Sequence, residues 1–176
     1  MAKIFKKTYD VKLPKARSEV EEFYAKKGIL ICSDCGAVYW KKHWHHGLEK
    51  LNKSETISIS EFKKEKNLRF LPCPACQMIK NHQYEGRITI KNFPSNSVAK
   101  LEELVSGFGD RAYDRDPMDR VIKVEKVSGN WVITTTENEL ANKLARKIKS
   151  VFSKLKSRVK FAPEPSDVAE IIIEFS

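Results

Sequence analysis

Cys32-Ser33-Asp34-Cys35 and Cys73-Pro74-Ala75-Cys76 hold all four cysteines of the chain. In each pair two residues separate the thiols, a gap that lets one tight turn aim both sulfurs at a single ion. Two such turns supply the four thiolates that structural zinc takes in a tetrahedron. Gly36 follows the first pair, where a knuckle often needs a positive backbone angle that a side chain resists. Pro72 and Pro74 flank the second and stiffen its turn. The spacing predicts one four-cysteine zinc ribbon with Cys32, Cys35, Cys73 and Cys76 as the metal ligands. An iron–sulfur cluster would use the same four donors. Disulfides would need an oxidising compartment, whereas the sequence opens Met-Ala-Lys-Ile-Phe-Lys-Lys with no apolar signal segment, so a cytoplasmic setting is expected. A thioredoxin-like redox site expects one Cys-x-x-Cys inside a strand–helix unit, not two pairs about 40 residues apart.

Four thiolates close a zinc shell, whereas catalytic zinc keeps a position open for water or substrate. No glycine-rich phosphate loop and no nucleophile elbow occurs in the sequence. Asp110, Asp114, Asp116 and Asp119 gather acidic groups, but Arg111, Arg115 and Arg120 alternate with them, as on a solvated loop. The expectation is a protein that is not an enzyme. His43, His45 and His46 are read as surface or RNA-facing groups, since four cysteines already complete the shell.

Charge points to a polyanionic partner. The chain carries 33 basic and 23 acidic residues, net +10, and its first 76 residues hold +7 of that excess. A basic arm and ribbon suit RNA. Lys41, Lys42, His43, Arg69 and Lys80 cluster in sequence around the knuckles and are the expected RNA-binding residues, through phosphate contacts. Tyr39 and Trp44 are assigned to the small core a ribbon needs, and Trp40 suits either that core or stacking on a base. The alternative function is a protein–protein interaction adaptor using the C-terminal part without direct RNA contact, with Lys143, Arg146 and Lys147 on the docking face. No apolar run is long enough to span a membrane.

The elements that must position these groups divide into three stretches. Residues 1–28 read as a basic arm followed by a helix from Pro14 to Lys27, stopped by Gly28. Residues 29–84 read as the zinc ribbon. Its strands are Ile29–Ile31, Gly36–Trp40 and Arg69–Leu71, and 47–71 is a lysine-rich insertion containing a brief strand at Ile57–Ile59 and a helical turn or two from Glu61 to Lys66. Residues 85–176 begin with a strand at Arg87–Ile90. Next comes a helix capped by Asn96 or Ser97, with Val98, Leu101, Val105 and Phe108 on one face and Gly107 and Gly109 at its end. A loop over 110–117 leads to a hairpin, Val121–Val127 and Trp131–Thr136, turning at Ser128-Gly129-Asn130. Thr136 with Glu139 forms a capping-box pattern for a helix whose buried side runs Leu140, Leu144, Ile148, Val151, Leu155. Strands at Arg158–Phe161 and Ala169–Phe175 close the chain around a Pro163-Glu164-Pro165 turn. The fold class expected is α+β, a four-cysteine zinc ribbon followed by a ferredoxin-like antiparallel sheet with two helices on one face.

These residues carry a family resemblance. Cys32-Ser33-Asp34-Cys35-Gly36-Ala37-Val38-Tyr39 with Trp44, then Cys73-Pro74-Ala75-Cys76 and Tyr84-Glu85-Gly86, resemble short prokaryotic zinc-ribbon proteins. Those look like small relatives of the ribosomal large-subunit export adaptor, nonsense-mediated-decay protein three. Val121–Ser128, Trp131–Thr136 and Leu140-Ala141-Asn142-Lys143-Leu144 are similar to the hairpin and following helix of that adaptor. The likeness covers about residues 29–46 and 70–175. This chain departs from the adaptor in having only two cysteine pairs, and from the short proteins at His46 or a neighbour, where they often show another tryptophan. What the resemblance implies is zinc on the four cysteines and association with ribosomal RNA or the large ribosomal subunit, in ribosome biogenesis or dormancy.

Overall fold

Alternating apolar residues build two sheets in the computed structural model of the chain, which describes residues 29–40, 42–47, 68–152 and 168–175, and the backbone of 155–161. The arm, the helix expected over 14–27, the insertion elements at 57–66, the 163–165 turn and Lys41 lie outside the described residues. Contacts divide the chain into two compact units, Met1–Pro72 and Cys73–Ser176.

In the first unit four three-residue strands form one sheet. They are β1 (Ile29–Ile31), β2 (Val38–Trp40), β3 (His43–His45) and β4 (Leu68–Phe70), in the order β3-β2-β1-β4. The first three are antiparallel neighbours, and β4 runs parallel to β1. Side chains paired across strands share a face. Ile29, Ile31, Val38 and Trp40 therefore lie on one side, where they pack into a small core, and Tyr39 and Trp44 lie on the other. There Tyr39 and Trp44 meet at 5.3 Å between ring centroids. Trp40 thus joins the core.

The second unit opens with helix α1 (Pro74–Lys80), followed by strand β5 (Gly86–Lys91), helix α2 (Val98–Arg115) and the hairpin β6 (Val121–Val127) and β7 (Asn130–Thr135). Helix α3 (Asn138–Val151) and strands β8 (Leu155–Phe161) and β9 (Ala169–Phe175) complete it. Ser128 and Gly129 both take positive φ, 49° and 81°, the backbone that matches a two-residue hairpin turn to the twist of its strands. Five strands line up as β6-β7-β5-β9-β8. Register brings Val124, Ile133, Ile88 and Ile171 into one row across four of them. Leu101 and Val105 from α2, and Ala141, Leu144 and Ile148 from α3, close over that row in a single core, so both helices cover the same face. Each large aliphatic side chain fully buried there contributes roughly 1.5–3 kcal/mol relative to exposure.

The α+β architecture matches the expectation, with differences in detail. The second sheet is mixed: β9 pairs with the central strand β5 in parallel and leaves β8 at the edge. The closing hairpin inserts its second strand where a ferredoxin-like sheet would place a single antiparallel one. Helix α2 runs through Gly107 and Gly109 and absorbs most of the loop expected over 110–117. Gly109 is an approach point: a Cβ there would sit 3.1 Å from Val121 Cγ2. Neither Asn96 nor Ser97 caps α2 through its side chain, and a 3-10 turn over Ser95–Ser97 leads into the helix instead. Helix α3 stops at Val151, so Leu155 belongs to β8, and Glu137 occupies its N-cap position without a side-chain bond. The hydroxyl of Thr136, expected to cap that helix, instead donates to the carbonyl of Met118 at 2.6 Å.

Candidate metal centre

The two cysteine pairs are shaped differently. Strand β1 delivers Cys32, whose N–H donates to the carbonyl of Ala37 at 2.7 Å, while Gly36 N–H donates to the carbonyl of Cys32 at 3.0 Å. Reversing the chain within so few residues needs a left-handed backbone, and Gly36 supplies it at φ 73°. The parallel ladder then continues past β4, with Leu71 N–H donating to the Ile31 carbonyl at 3.1 Å and Ser33 N–H to the Leu71 carbonyl at 3.4 Å. Parallel pairing sends the chain out of β1 and β4 at the same end, which is where each cysteine pair follows its strand.

The second pair is the first turn of a helix, where the sequence predicts a proline-stiffened turn. Cys73 is the N-cap of α1 in an extended conformation, Pro74 takes the first helical position, and Cys76 lies one turn on. Proline fits there because its missing N–H is one the helix start would leave unpaired, and its φ is already helical. The same turn points backbone N–H groups at sulfur: Cys76 N–H donates to Cys73 Sγ at 3.4 Å.

The sulfurs of Cys32, Cys35, Cys73 and Cys76 all lie within 4.8 Å of one another. Sulfurs at zinc–thiolate bond length around a tetrahedral ion are about 3.8 Å apart, so four cysteine sulfurs at this spacing fit a metal with little movement. Cys32, Cys73 and Cys76 are buried and Cys35 is half-buried, which limits access of water to the centre. Among the described residues this is the group of histidine, cysteine and carboxylate side chains that can hold a metal ion. His43 is exposed on β3, and His45 and His46 are half-buried outside the group.

One further side chain reaches the cysteines from a distant part of the chain. Arg120, expected as one charge in an alternating acidic and basic loop, donates from Nη1 to Cys76 Sγ at 3.6 Å. Its Nε donates to the Pro117 carbonyl at 2.9 Å, and its guanidinium lies 5.0 Å from the ring centroid of Tyr113. The backbone is held as well, because Arg120 N–H donates to Thr136 Oγ1 at 2.9 Å and Thr136 N–H donates to the Arg120 carbonyl at 3.0 Å. Nothing in the local sequence points from Arg120 to a cysteine 44 residues away.

The acidic residues of the same stretch separate. Asp110 and Asp114 lie on α2, and Asp116 Oδ1 accepts from Met118 N–H at 2.8 Å. Partial burial, reinforced by the neighbouring charge of Asp116, raises the pKa of Asp119 above the usual carboxylate value. Of the residues assigned to phosphate contact, Lys42 is exposed in the turn between β2 and β3 with φ 68°. His43 is exposed on β3, Arg69 is half-buried on β4, and Lys80 is exposed at the end of α1. Lys143, Arg146 and Lys147 are exposed on α3, where Lys143 pairs with Glu139 one turn back at 3.4 Å. No helix among the described residues is long and apolar enough to cross a membrane. No protein-family model and no curated protein sequence matches the chain.

Proposed function

We propose that this chain is a non-enzymatic zinc-ribbon protein that binds ribosomal RNA or the large ribosomal subunit, in the cytoplasm, in ribosome assembly or dormancy. The observation that carries the reading is a thiolate set that closes a metal shell, in a stretch of sequence holding most of the net positive charge. A metal enclosed by four thiolates has no position for water or substrate, so its work is to fix a fold. Zinc would then hold rigid a short-stranded ribbon whose exposed Lys42 and His43 are available to phosphate, with Lys41, Arg69 and Lys80 as the further contacts assigned from sequence. The resemblance to relatives of the large-subunit export adaptor supports the same partner.

Purified protein sedimented with isolated large ribosomal subunits at low and at moderate salt tests this. Binding is expected at low salt and is expected to weaken steeply as salt rises, because each phosphate contact releases bound counterions. Absence from the subunit fraction at both salts refutes the proposal. Charge reversal at Lys143, Arg146 and Lys147 separates it from the adaptor reading: subunit binding that survives that change is expected, and its loss would move the contact to α3.

A further inference from the structure

We infer that Arg120 is a positioning residue of the metal centre: it holds and shields the Cys76 thiolate, so that metal retention depends on a loop of the second unit. The inference rests on the reading that the four cysteines take zinc. Four thiolates around a divalent cation carry a formal charge of −2, and burial makes that excess costly unless donors face the sulfurs. Near Cys76 the donor is a permanently charged guanidinium with Nη1 at 3.6 Å from Sγ. A long side chain normally loses much rotamer freedom to hold one geometry, but here the ordering is done by other contacts. The Pro117 carbonyl takes Nε, Tyr113 lies under the guanidinium, and the buried Thr136 hydroxyl receives the Arg120 N–H while donating to Met118. Thr136 fixes the loop, the loop fixes Arg120, and Arg120 meets the sulfur.

An N–H···S bond draws electron density from a thiolate and lowers its nucleophilicity without removing it from the metal. Arg120 therefore has a local signature at one cysteine, whereas general loosening of the fold would expose all four together. The test uses the full zinc-loaded chain, with metal content measured first. Arg120→Gln is then compared with wild type for zinc loss to a chromogenic chelator. The rate at which N-ethylmaleimide modifies each cysteine is followed by peptide mass spectrometry. Loss of an outer-shell partner typically weakens metal retention about 10-fold or more, and a change of that size is expected here. Cys76 is expected to become the first residue modified, and Arg120→Lys, which keeps the charge, is expected to recover part of its protection. Wild-type retention and wild-type order of modification in Arg120→Gln would overturn the inference, as would uniform acceleration at all four cysteines. If Arg120→Gln does not fold, Arg120→Lys is read by the same two measurements. Selective modification of Cys76, slower than in free peptide, supports the role, and uniform or unchanged rates overturn it. A chain that takes up no metal would refute the zinc reading together with this inference, whereas failure to bind ribosomal subunits leaves this test unaffected.

Discussion

A carboxylate partly withdrawn from water and set beside another carboxylate is an unfavourable ion, and this is the situation of Asp119, with Asp116 as its neighbour. The positive charges of Lys143 and Arg115 oppose the shift without reversing it. Because its folded pKa lies above the unfolded one, the native state binds more protons across the interval between the two values. Stability therefore falls as pH rises through that interval and stays lower above it. Asp119→Asn removes the ion, so the variant is expected to melt at a higher temperature than wild type near neutral pH. The difference should vanish near pH ~3, where the wild-type carboxyl is protonated in both states. Thermal melts across that range check the sign. The same stretch marks how far residues can be read from sequence. The cysteines were legible because a knuckle is local, its ligands separated by two residues. Arg120 and Thr136 were misread because their partners, Cys76 and Met118, are brought to them by the fold. A threonine before a helix has a cap as its default use, and only the packed loop reveals the competing acceptor.

Elements were legible wherever apolar periodicity was strong. Helix α3 shows its buried side as Leu140, Leu144 and Ile148, and buried and half-buried residues alternate along β5 and along β9 as far as Ile173. Boundaries were less so, since glycine has more than one use. Gly107 and Gly109 read as stops, yet α2 continues because Ala112 is buried one turn beyond and Gly109 lets the helix lie close to Val121. Gly86, whose place in Tyr84-Glu85-Gly86 gives no sign of burial, begins β5 fully buried. A Cβ there would collide with Thr135 Oγ1 and Ala141 Cβ and would sit 3.0 Å from the Glu137 carbonyl. Thr135 Oγ1 donates to that carbonyl at 2.8 Å, so neither can move aside freely. Gly86→Ala is expected to destabilise the second unit by about 1–3 kcal/mol, the usual cost of forcing a methyl into filled space. The midpoint of urea unfolding, followed by far-ultraviolet circular dichroism, measures it. A midpoint equal to wild type would mean that β5 and α3 are less tightly apposed than these distances indicate.

At the scale of the molecule, stability should divide as the core residues do. Among its described residues the first unit has a core of a few side chains around Ile29 and Val38, which is little apolar surface for a sheet of three-residue strands. The second has its own core of Ile88, Ile90, Leu101, Ile133, Leu144 and Ile171. Removing zinc with a strong chelator is expected to abolish amide-exchange protection over 29–45 while β5, β7 and α3 keep theirs. Simultaneous loss over both stretches would show that the second core depends on the metal. Sheet composition was the part of the architecture least open to sequence, because nothing in Ala169–Phe175 distinguishes a strand that joins β5 in parallel from one that joins it antiparallel. The parallel pair β1 and β4 has a further effect, as a gauge of register. Its pairs Ile29 with Leu68 and Ile31 with Phe70 align the strand ends that lead to the two knuckles. A slip of β4 by one residue would carry the chain leading to Cys73 about 3.3 Å along the ladder, more than the length of a zinc–thiolate bond, and would turn Leu68, Arg69 and Phe70 to the opposite faces.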